Sequence, residues 1–283
     1  MIAIDGTHST RRSLHVGTIP PPWPYDAAAV ATVEQTVVHT QVSDCQDKSF
    51  LRSCVIRFLK ADDIDALEEL NELVLNHLPH PHILRRASRA ELEIHINRRG
   101  RCIGAFVDKL MVGFSVLTCP RDDPDNLGHD LGFDHARRLR SCHFELSGVH
   151  PSFRGSNLHR IMNAMRANFA GASGYHYLFG TVSPLNPYSL GNHLAQGMTI
   201  RKLVTKYEGM DRYIIHRHYH ERLLPPSTMT SATYRSCQDI AGQKHLLDKG
   251  YWGIGLRRTE SRDWEVAYVP SSSIIFETAS IPA

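Results

Sequence analysis

The sequence predicts an α+β fold in which a mixed, mostly antiparallel sheet is flanked by helices. Two amphipathic helical patterns follow a strand-like run, a hairpin pattern comes next, and a further apolar run then passes directly into a helix. That last unit is a strand–helix–strand crossover, which requires one parallel pair of strands because the connection returns the chain in the same direction. At 283 residues the chain has room for one large domain or two smaller ones.

Residues 1–52 are predicted to be an irregular N-terminal segment. The stretch "TIPPPWPYD", residues 18–26, contains four prolines, and proline suits neither a helix interior nor a central strand. The following "AAAVATVEQTVVHTQV" is expected to form a short helix or an edge strand.

Regular elements are predicted throughout residues 53–220. "CVIRFLK" reads as a strand, and the apolar stripe of residues 61–78, with Asp62 or Asp63 as cap, predicts a helix. Ser88 followed by Glu91 matches a capping box at the start of a second helix, with Gly100 after its end. A hairpin with its turn at residues 108–109 comes next.

A polar insertion rich in proline, glycine and aspartate occupies residues 120–140. After it the pattern predicts a strand at 142–150, a helix at 157–174, a strand at 175–183, a short helix at 186–197 and a hairpin ending near 220. Residues 221–283 form a C-terminal extension whose strand-like runs "YWGIGLRR" and "WEVAYVP" could build a small β subdomain.

Composition excludes several classes of protein. The formal charge of +3 is too small to indicate a nucleic-acid-binding protein. No apolar run approaches the ~20 residues that span a bilayer, and the N-terminus has no secretory pattern, so we expect a cytoplasmic protein without a membrane partner. The six cysteines form no CxxC pair and are expected to be free thiols.

Eighteen histidines are an unusual number, and they gather in "HLPHPH" at 77–82 and "HRHYH" at 216–220. Such runs could bind metal, which leaves a metal-binding regulatory protein as one interpretation. Cysteine or carboxylate partners at fixed spacing are missing, so we expect surface or partly buried histidines and no metal cofactor.

The turn "RGSN", residues 154–157, is placed where a strand passes into a helix. A helix start has unpaired N–H groups and a positive dipole end, which together attract an anion. Gly155 allows close backbone approach, Arg154 adds a cation suited to phosphate, and Ser156 and Asn157 are good N-cap types. The turn predicts a phosphate or pyrophosphate site; the alternative is a plain strand–helix turn.

These residues carry a resemblance to a known family. Val149-x-Pro151-x-x-Arg154-Gly155 before an amphipathic helix resembles the acetyl-CoA-binding segment of the GNAT superfamily of acyl-CoA-dependent N-acyltransferases. Asn186-x-x-Ser189, then His193, then "GM" at 197–198, resembles a later helix of that family. The resemblance covers roughly residues 54–220.

Three positions depart from the family pattern. Ser152 stands where glutamine or arginine is usual, and Asn157 stands where glycine or alanine is usual. His193 stands where a tyrosine commonly protonates the departing thiolate. A catalytically impaired GNAT-fold module that senses CoA or binds proteins is therefore the alternative function.

The resemblance implies a GNAT-like fold with acetyl-CoA as co-substrate and acetyl transfer to a primary amine by direct attack. Backbone groups of the central strand would hold the pantetheine arm, and the turn and the two helix starts would complete the site. The implied cofactor-binding residues are Leu146, Gly148, Val149, Arg154, Gly155, Ser156, Asn157, Leu158, Asn186 and Ser189.

Catalytic candidates lie on the strand "CHFELSGVH". By period-two alternation His143, Glu145, Ser147 and Val149 share one face. Glu145 or His143 could be the general base, with Glu145 slightly favoured and an ordinary strand residue as the alternative. His193 could be the acid, because histidine titrates near neutrality, or a packing residue.

The acceptor pocket is expected near the last hairpin, where the resemblance places Tyr207, Arg212 and Tyr213. An arginine there would suit a carboxylate-bearing acceptor such as an amino acid, although Arg212 could instead pair with Asp211 or Glu208 on the surface. The expected partner is a small-molecule amine or amino acid, with a peptide N-terminus as second choice. A homodimer is an open alternative.

Overall fold

The computed structural model describes residues 26–44, 51–224 and 232–278. Most of the predicted proline segment lies outside the described residues. The helices are α1 Ala27–Glu34, α2 Ile64–Asn76, α3 Arg89–Ile94, α4 His135–Leu139, α5 Leu158–Ala172, α6 Pro187–Leu194 and α7 Ile240–Asp248. The strands are β1 Val38–Ser43, β2 Leu51–Phe58, β3 Gly100–Val107, β4 Leu110–Thr118, β5 Ser141–Val149, β6 Tyr177–Val182, β7 Thr199–Lys206, β8 Met210–His218, β9 Glu221–Leu224, β10 Thr233–Ser236, β11 Tyr251–Arg258, β12 Trp264–Pro270 and β13 Ile275–Thr278.

Eleven of these strands form one sheet in the order β1-β2-β3-β4-β5-β6-β8-β7-β11-β12-β10. Within the described chain, β5 and β6 are the parallel pair of this sheet, and its other pairs are antiparallel. The β5–α5–β6 crossover needs this parallel pair, because its helix brings the chain back in the same direction. The predicted mixed, mostly antiparallel sheet flanked by helices is confirmed.

Helices cover both faces of the sheet. Leu158 and Met162 of α5 pack with Ile56 and Ile103 on one face. On the other face, apolar residues of α2 and α3 pack with Phe114, Val116 and Leu146. The stripe that predicted α2 is therefore its buried side.

The helix boundaries agree in part with the predictions. The capping box of Ser88 and Glu91 is present. Asp63 makes no cap bond to α2 itself; its carboxylate binds Arg57 and accepts from the N–H of Lys60, in the capping box of the 3-10 turn that leads into α2. The second predicted helix ends as a π-helical turn at 95–99, and Gly100 follows its end as the first residue of β3. The segment before β2 forms both a helix and an edge strand, α1 and β1.

The C-terminal extension continues the main sheet. Gly253 of β11 pairs with Ile200 of β7, and β12 and β10 follow outward. Gln243 of α7 accepts hydrogen bonds from the hydroxyls of Tyr213, at 2.6 Å, and Tyr268, at 2.8 Å. The extension therefore shares buried contacts with the central strands, while β9 and β13 form a separate two-stranded sheet.

Candidate active site

A β-bulge in β5 sets the geometry of the site. Val116 pairs with Leu146, but the next pair is Leu117 with Phe144, so Glu145 is an extra residue in the ladder. A bulge of this kind bends the strand and redirects a side chain. The pairing of β5 with β6 also ends at Phe144, although β5 continues to Val149. The two parallel strands therefore separate at the bulge.

The bulge reverses the alternation of side chains that the sequence suggested. Glu145 approaches Thr118 and Arg85, whereas Ser147 Oγ lies 2.9 Å from His159 Nε2 of α5, on the opposite face. Val149 packs with the apolar cluster under α5. The prediction that Ser147 and Val149 share a face with Glu145 is wrong, because one inserted residue inverts a period of two.

Glu145 lines a cavity of about 470 Å³. Its walls come from α3 and the segment before it, the polar insertion, β5 and the β7–β8 turn. Of the predicted site residues, the cavity brings together His143, Glu145 and Tyr207. Arg85 and Glu91 also line it; sequence reasoning found only a capping role for Glu91, since nothing local links this segment to β5.

The environment of Glu145 suits a general base. Its side chain is 21% exposed, and burial raises the pKa of its carboxyl although Arg85 and Thr118 act in the opposite direction. Arg85 Nη2 lies 3.7 Å from Glu145 Oε1, and Thr118 Oγ1 lies 3.5 Å from Glu145 Oε2. A base with a raised pKa accepts a proton more readily near neutral pH.

Carboxylates outnumber cations in the cavity walls. Arg85 also donates to Glu91 at 2.8 Å, so one guanidinium serves two carboxylates. The other cation, Lys206, lies 2.9 Å from Asp130. The insertion adds the carboxylates at positions 123 and 125 to the lining. The cavity is therefore negative overall and favours a positively charged ligand.

His143 is poorly suited to take a proton. Its Nε2 accepts a hydrogen bond from the backbone N–H of Leu127 at 3.2 Å. Burial, followed by the charge of Lys206, lowers the pKa of His143 to about 3. The ring is therefore neutral with its acceptor nitrogen occupied, and the geometry favours Glu145 of the two candidate bases.

His193 lies on the other side of the sheet, in a buried polar cluster under β5. Its Nδ1 is 3.4 Å from Asn163 Nδ2, and its ring stands edge-on to His159 at 5.1 Å. Burial, together with His159 and Arg166, lowers the pKa of His193 well below its usual range. The structure does not bring this candidate acid into the cavity with Glu145.

Arg166, in the same cluster, was not predicted as a site residue. It is 1% exposed, and its Nη1 donates to Val116 O at 2.8 Å and to Leu146 O at 3.4 Å, beside the bulge. Its guanidinium lies 4.1 Å from the Phe144 ring centroid. Burial lowers its pKa to about 9. The one feature of the sequence that could have indicated the burial of Arg166 is its position on the apolar stripe of α5.

The predicted anion-binding turn has the expected backbone. Gly155 has φ +85° and Asn157, the N-cap of α5, has φ +62°. Among the described residues, no protein acceptor receives the N–H groups of residues 155–159. A Cβ on Gly155 would meet nothing within 4 Å. The turn therefore presents several uncovered amides to open space.

Leu146, Gly148 and Val149 are the three β5 positions expected to hold a pantetheine arm, and the register of β5 turns their backbone groups in different directions. His150 N donates to Val112 O at 2.9 Å, so by alternation Gly148 and Leu146 turn their backbone groups toward β4. Ser147 and Val149 turn theirs toward the side where β6 has separated. A Cβ on Gly148 would lie 2.5 Å from the Phe114 ring, which gives that glycine a packing role.

The remaining predicted residues are occupied elsewhere. Asn186 Oδ1 accepts from Ser189 N at 3.1 Å and caps α6. Arg212 is 3% exposed and donates to His82 O at 2.8 Å, so its interpretation as a surface ion pair is wrong. Tyr213 points to α7. Within the described ranges, no group of three or more His, Cys, Asp or Glu side chains is arranged to hold a metal ion.

Comparison with models of protein families finds no match, and neither does comparison with curated proteins. Comparison with solved structures does find matches. A GNAT-family acetyltransferase from Streptococcus pneumoniae is 17% identical, with 58% of this chain and 98% of that chain covered and a TM-score of 0.44. A putative acetyltransferase from Salmonella typhimurium, solved with acetyl-CoA, is 19% identical, with 62% and 99% covered and a TM-score of 0.46. An N-acetyltransferase from Thermoplasma acidophilum in complex with coenzyme A is 14% identical, with 59% and 99% covered and a TM-score of 0.42.

The helices of the described ranges are all too short or too polar to cross a membrane.

Proposed function

We propose that this chain is an N-acyltransferase that transfers the acetyl group of acetyl-CoA to a primary amine. One observation carries the proposal. A carboxyl group of raised pKa, Glu145, is directed by a bulge into a negative cavity at the point where β5 and β6 separate. A proton acceptor in such a cavity is what attack by an amine requires.

The donor supplies an activated thioester, and the chain's own residues fit its anionic end. The uncovered amides of residues 155–159 and the cation of Arg154 suit a pyrophosphate. The backbone groups of Ser147 and Val149 face the side left open by β6 and suit an amide-rich arm. This support is independent of the cavity on the other face.

The proposed base is Glu145. An amine acceptor arrives as an ammonium ion and must lose a proton before it can attack. Glu145 accepts that proton, and Arg85 holds its carboxylate in place from 3.7 Å. The raised pKa brings the proton affinity of Glu145 closer to that of the acceptor, which makes transfer less costly.

The acid that protonates the thiolate remains a choice between two residues. His193 is buried and neutral, which argues against it. Tyr207 lines the cavity, and burial, followed by the charge of Glu145, raises the pKa of its hydroxyl, so it keeps its proton. Turnover of Tyr207→Phe and His193→Phe decides between them, since the variant that removes the acid loses kcat while its affinity for CoA is kept.

The charge of the cavity bears on the acceptor. Arg212, proposed to bind an acceptor carboxylate, is occupied by a backbone carbonyl. The surplus of carboxylates favours a small amine that carries more than one positive charge over a simple amino acid. Peptide N-termini remain a second class.

The test is a panel of amines incubated with acetyl-CoA and assayed for release of free thiol. We expect turnover with at least one cationic amine, and a loss of roughly 10²–10⁴-fold in kcat for Glu145→Gln. Glu93→Gln, on the exposed side of α3, is the matched control and should retain activity.

The second candidate function is a CoA-sensing module without catalysis. The burial of His193 away from the cavity favours it, because the family's acid position then has no catalytic group. Tight binding of acetyl-CoA without thiol release from any amine would support this module and contradict the enzyme.

A further inference from the structure

Two cysteines face each other across β4 and β5. The ladder ends with Leu117 opposite Phe144 and Thr118 opposite His143, and Cys119 and Cys142 are the next residues along the two segments. Their Sγ atoms are 3.1 Å apart, and both residues are free thiols. Opposed residues of antiparallel strands have Cα atoms roughly 4.5–5.5 Å apart, which lies inside the range of about 4.4–6.8 Å for disulfides. A covalent bond can therefore form with little backbone movement.

The two cysteines differ in the burial of the residue and in acidity. Cys119 is half-buried and belongs to the cavity wall, whereas Cys142 is fully buried in the core. A hydrogen bond from the Cys142 thiol lowers the pKa of Cys119, and burial raises the pKa of Cys142 well above its usual range. Cys119 is thus the first to become a thiolate, and the thiolate is the reactive form.

The other described cysteines lack this arrangement. Cys54, Cys102 and Cys237 are buried and free, and burial raises the pKa of Cys54 to about 11 and that of Cys102 to about 12. Among the described residues, Cys119 and Cys142 are the cysteines whose sulfur atoms touch. Among the cysteines that the structure describes, a small oxidant therefore has one favoured target.

We propose that Cys119 and Cys142 form a reversible oxidation site in which a peroxide converts the two thiols into an intramolecular disulfide. The Cys119 thiolate attacks one peroxide oxygen, the O–O bond breaks, and the other oxygen leaves as water after taking up a proton. Cys119 is then a sulfenic acid. The Cys142 thiol attacks the Cys119 sulfur, the S–O bond breaks, and a second water leaves, so two electrons pass from the thiols to the peroxide.

The disulfide would tie the start of the 120–140 insertion to β5, close to Glu145 in the chain. The insertion forms part of the cavity wall, so oxidation acts on the same cavity as the proposed reaction. The oxidation site itself requires neither CoA nor an acceptor, and it stands or falls independently of the proposed function.

The test uses the reduced full-length protein and hydrogen peroxide. Aliquots are blocked with an alkylating agent under denaturing conditions, digested and mapped by mass spectrometry. We expect one Cys119–Cys142 linked peptide that disappears after reduction, and a decrease from six titratable thiols to four. In Cys142→Ser, Cys119 should instead be trapped as a dimedone adduct.

Cys54→Ala is the control and should form the same linked peptide. The proposal is overturned if peroxide leaves both thiols free, if it modifies Cys119 without linking it to Cys142, or if another cysteine pair forms first. Should Cys142→Ser fail to fold, the peptide map of the wild-type protein is sufficient to decide between these outcomes.

Discussion

Acid should destabilise this protein through histidines that its interior keeps neutral. Burial is the main cause that lowers the pKa of His143 and of His159 to about 3 in each case, against a value near 6.5 in an unfolded chain. The unfolded state therefore binds a proton at a pH where the folded state does not. The stability contributed is complete above about pH 6.5 and is lost as the pH falls from there toward about 3.

The magnitude follows from this difference in proton binding. Between pH 7.5 and pH 5 each of these two histidines lowers the free energy of unfolding by about 2 kcal/mol. Together they remove about 4 kcal/mol, a large part of the stability of an ordinary domain. His193 and His216, whose pKa values burial also lowers well below the usual range, act in the same direction.

Urea unfolding followed by circular dichroism at pH 7.5, 6.5, 5.5 and 5 measures this dependence. His143→Gln removes one neutral histidine while the amide oxygen can still accept from Leu127 N, so it should weaken the pH dependence by about 2 kcal/mol over this range. His129→Gln, an exposed position, is the control. A wild-type free energy that is flat from pH 7.5 to 5, or a His143→Gln dependence equal to that of wild type, refutes the reasoning.

Three further outcomes are expected. Gly148→Ala should lower the free energy of unfolding by about 1–3 kcal/mol, because its Cβ would lie 2.5 Å from the Phe114 ring. An unchanged urea midpoint would show that the β5 backbone shifts enough to accommodate the added methyl group. Arg154→Ala should weaken acetyl-CoA binding in calorimetry, whereas the exposed Arg160→Ala should not, and equal affinities would remove the turn from the site. Arg166→Gln should lower kcat on the order of 10²-fold and alter the pH profile of kcat, since it frees the carbonyls beside the bulge; a profile identical to wild type would leave Arg166 a purely structural role.

Much of the fold could be predicted because its signals are local. The apolar stripe of α2, the capping box at Ser88 and the tight turn at residues 108–109 each depend on neighbours within a few positions. The crossover through α5 fixed the parallel pair. The extension of the sheet by β11 was harder to foresee, since it depends on a contact between Ile200 and Gly253.

The arrangement of the site was less predictable because it depends on a single inserted residue. Nothing in "CHFELSGVH" marks Glu145 as unpaired, since a bulge leaves the pattern of residue types unchanged and alters only the partner strand's register. The same limit applies to Arg166 and Arg212. A charged residue is normally expected on the surface, and the sequence does not show the carbonyls of distant segments that accept hydrogen bonds from these two guanidinium groups.

The bulge also explains why the two halves of the proposed site can lie on opposite faces of one strand. Before the insertion, Phe144 faces α5; after it, Ser147 and Val149 do. Between them Glu145 and Leu146 both face the helices α2 and α3. A regular strand would turn every second residue to the same side. The extra residue lets Glu145, the proposed base, enter the cavity while the following backbone remains free on the side where β6 has separated.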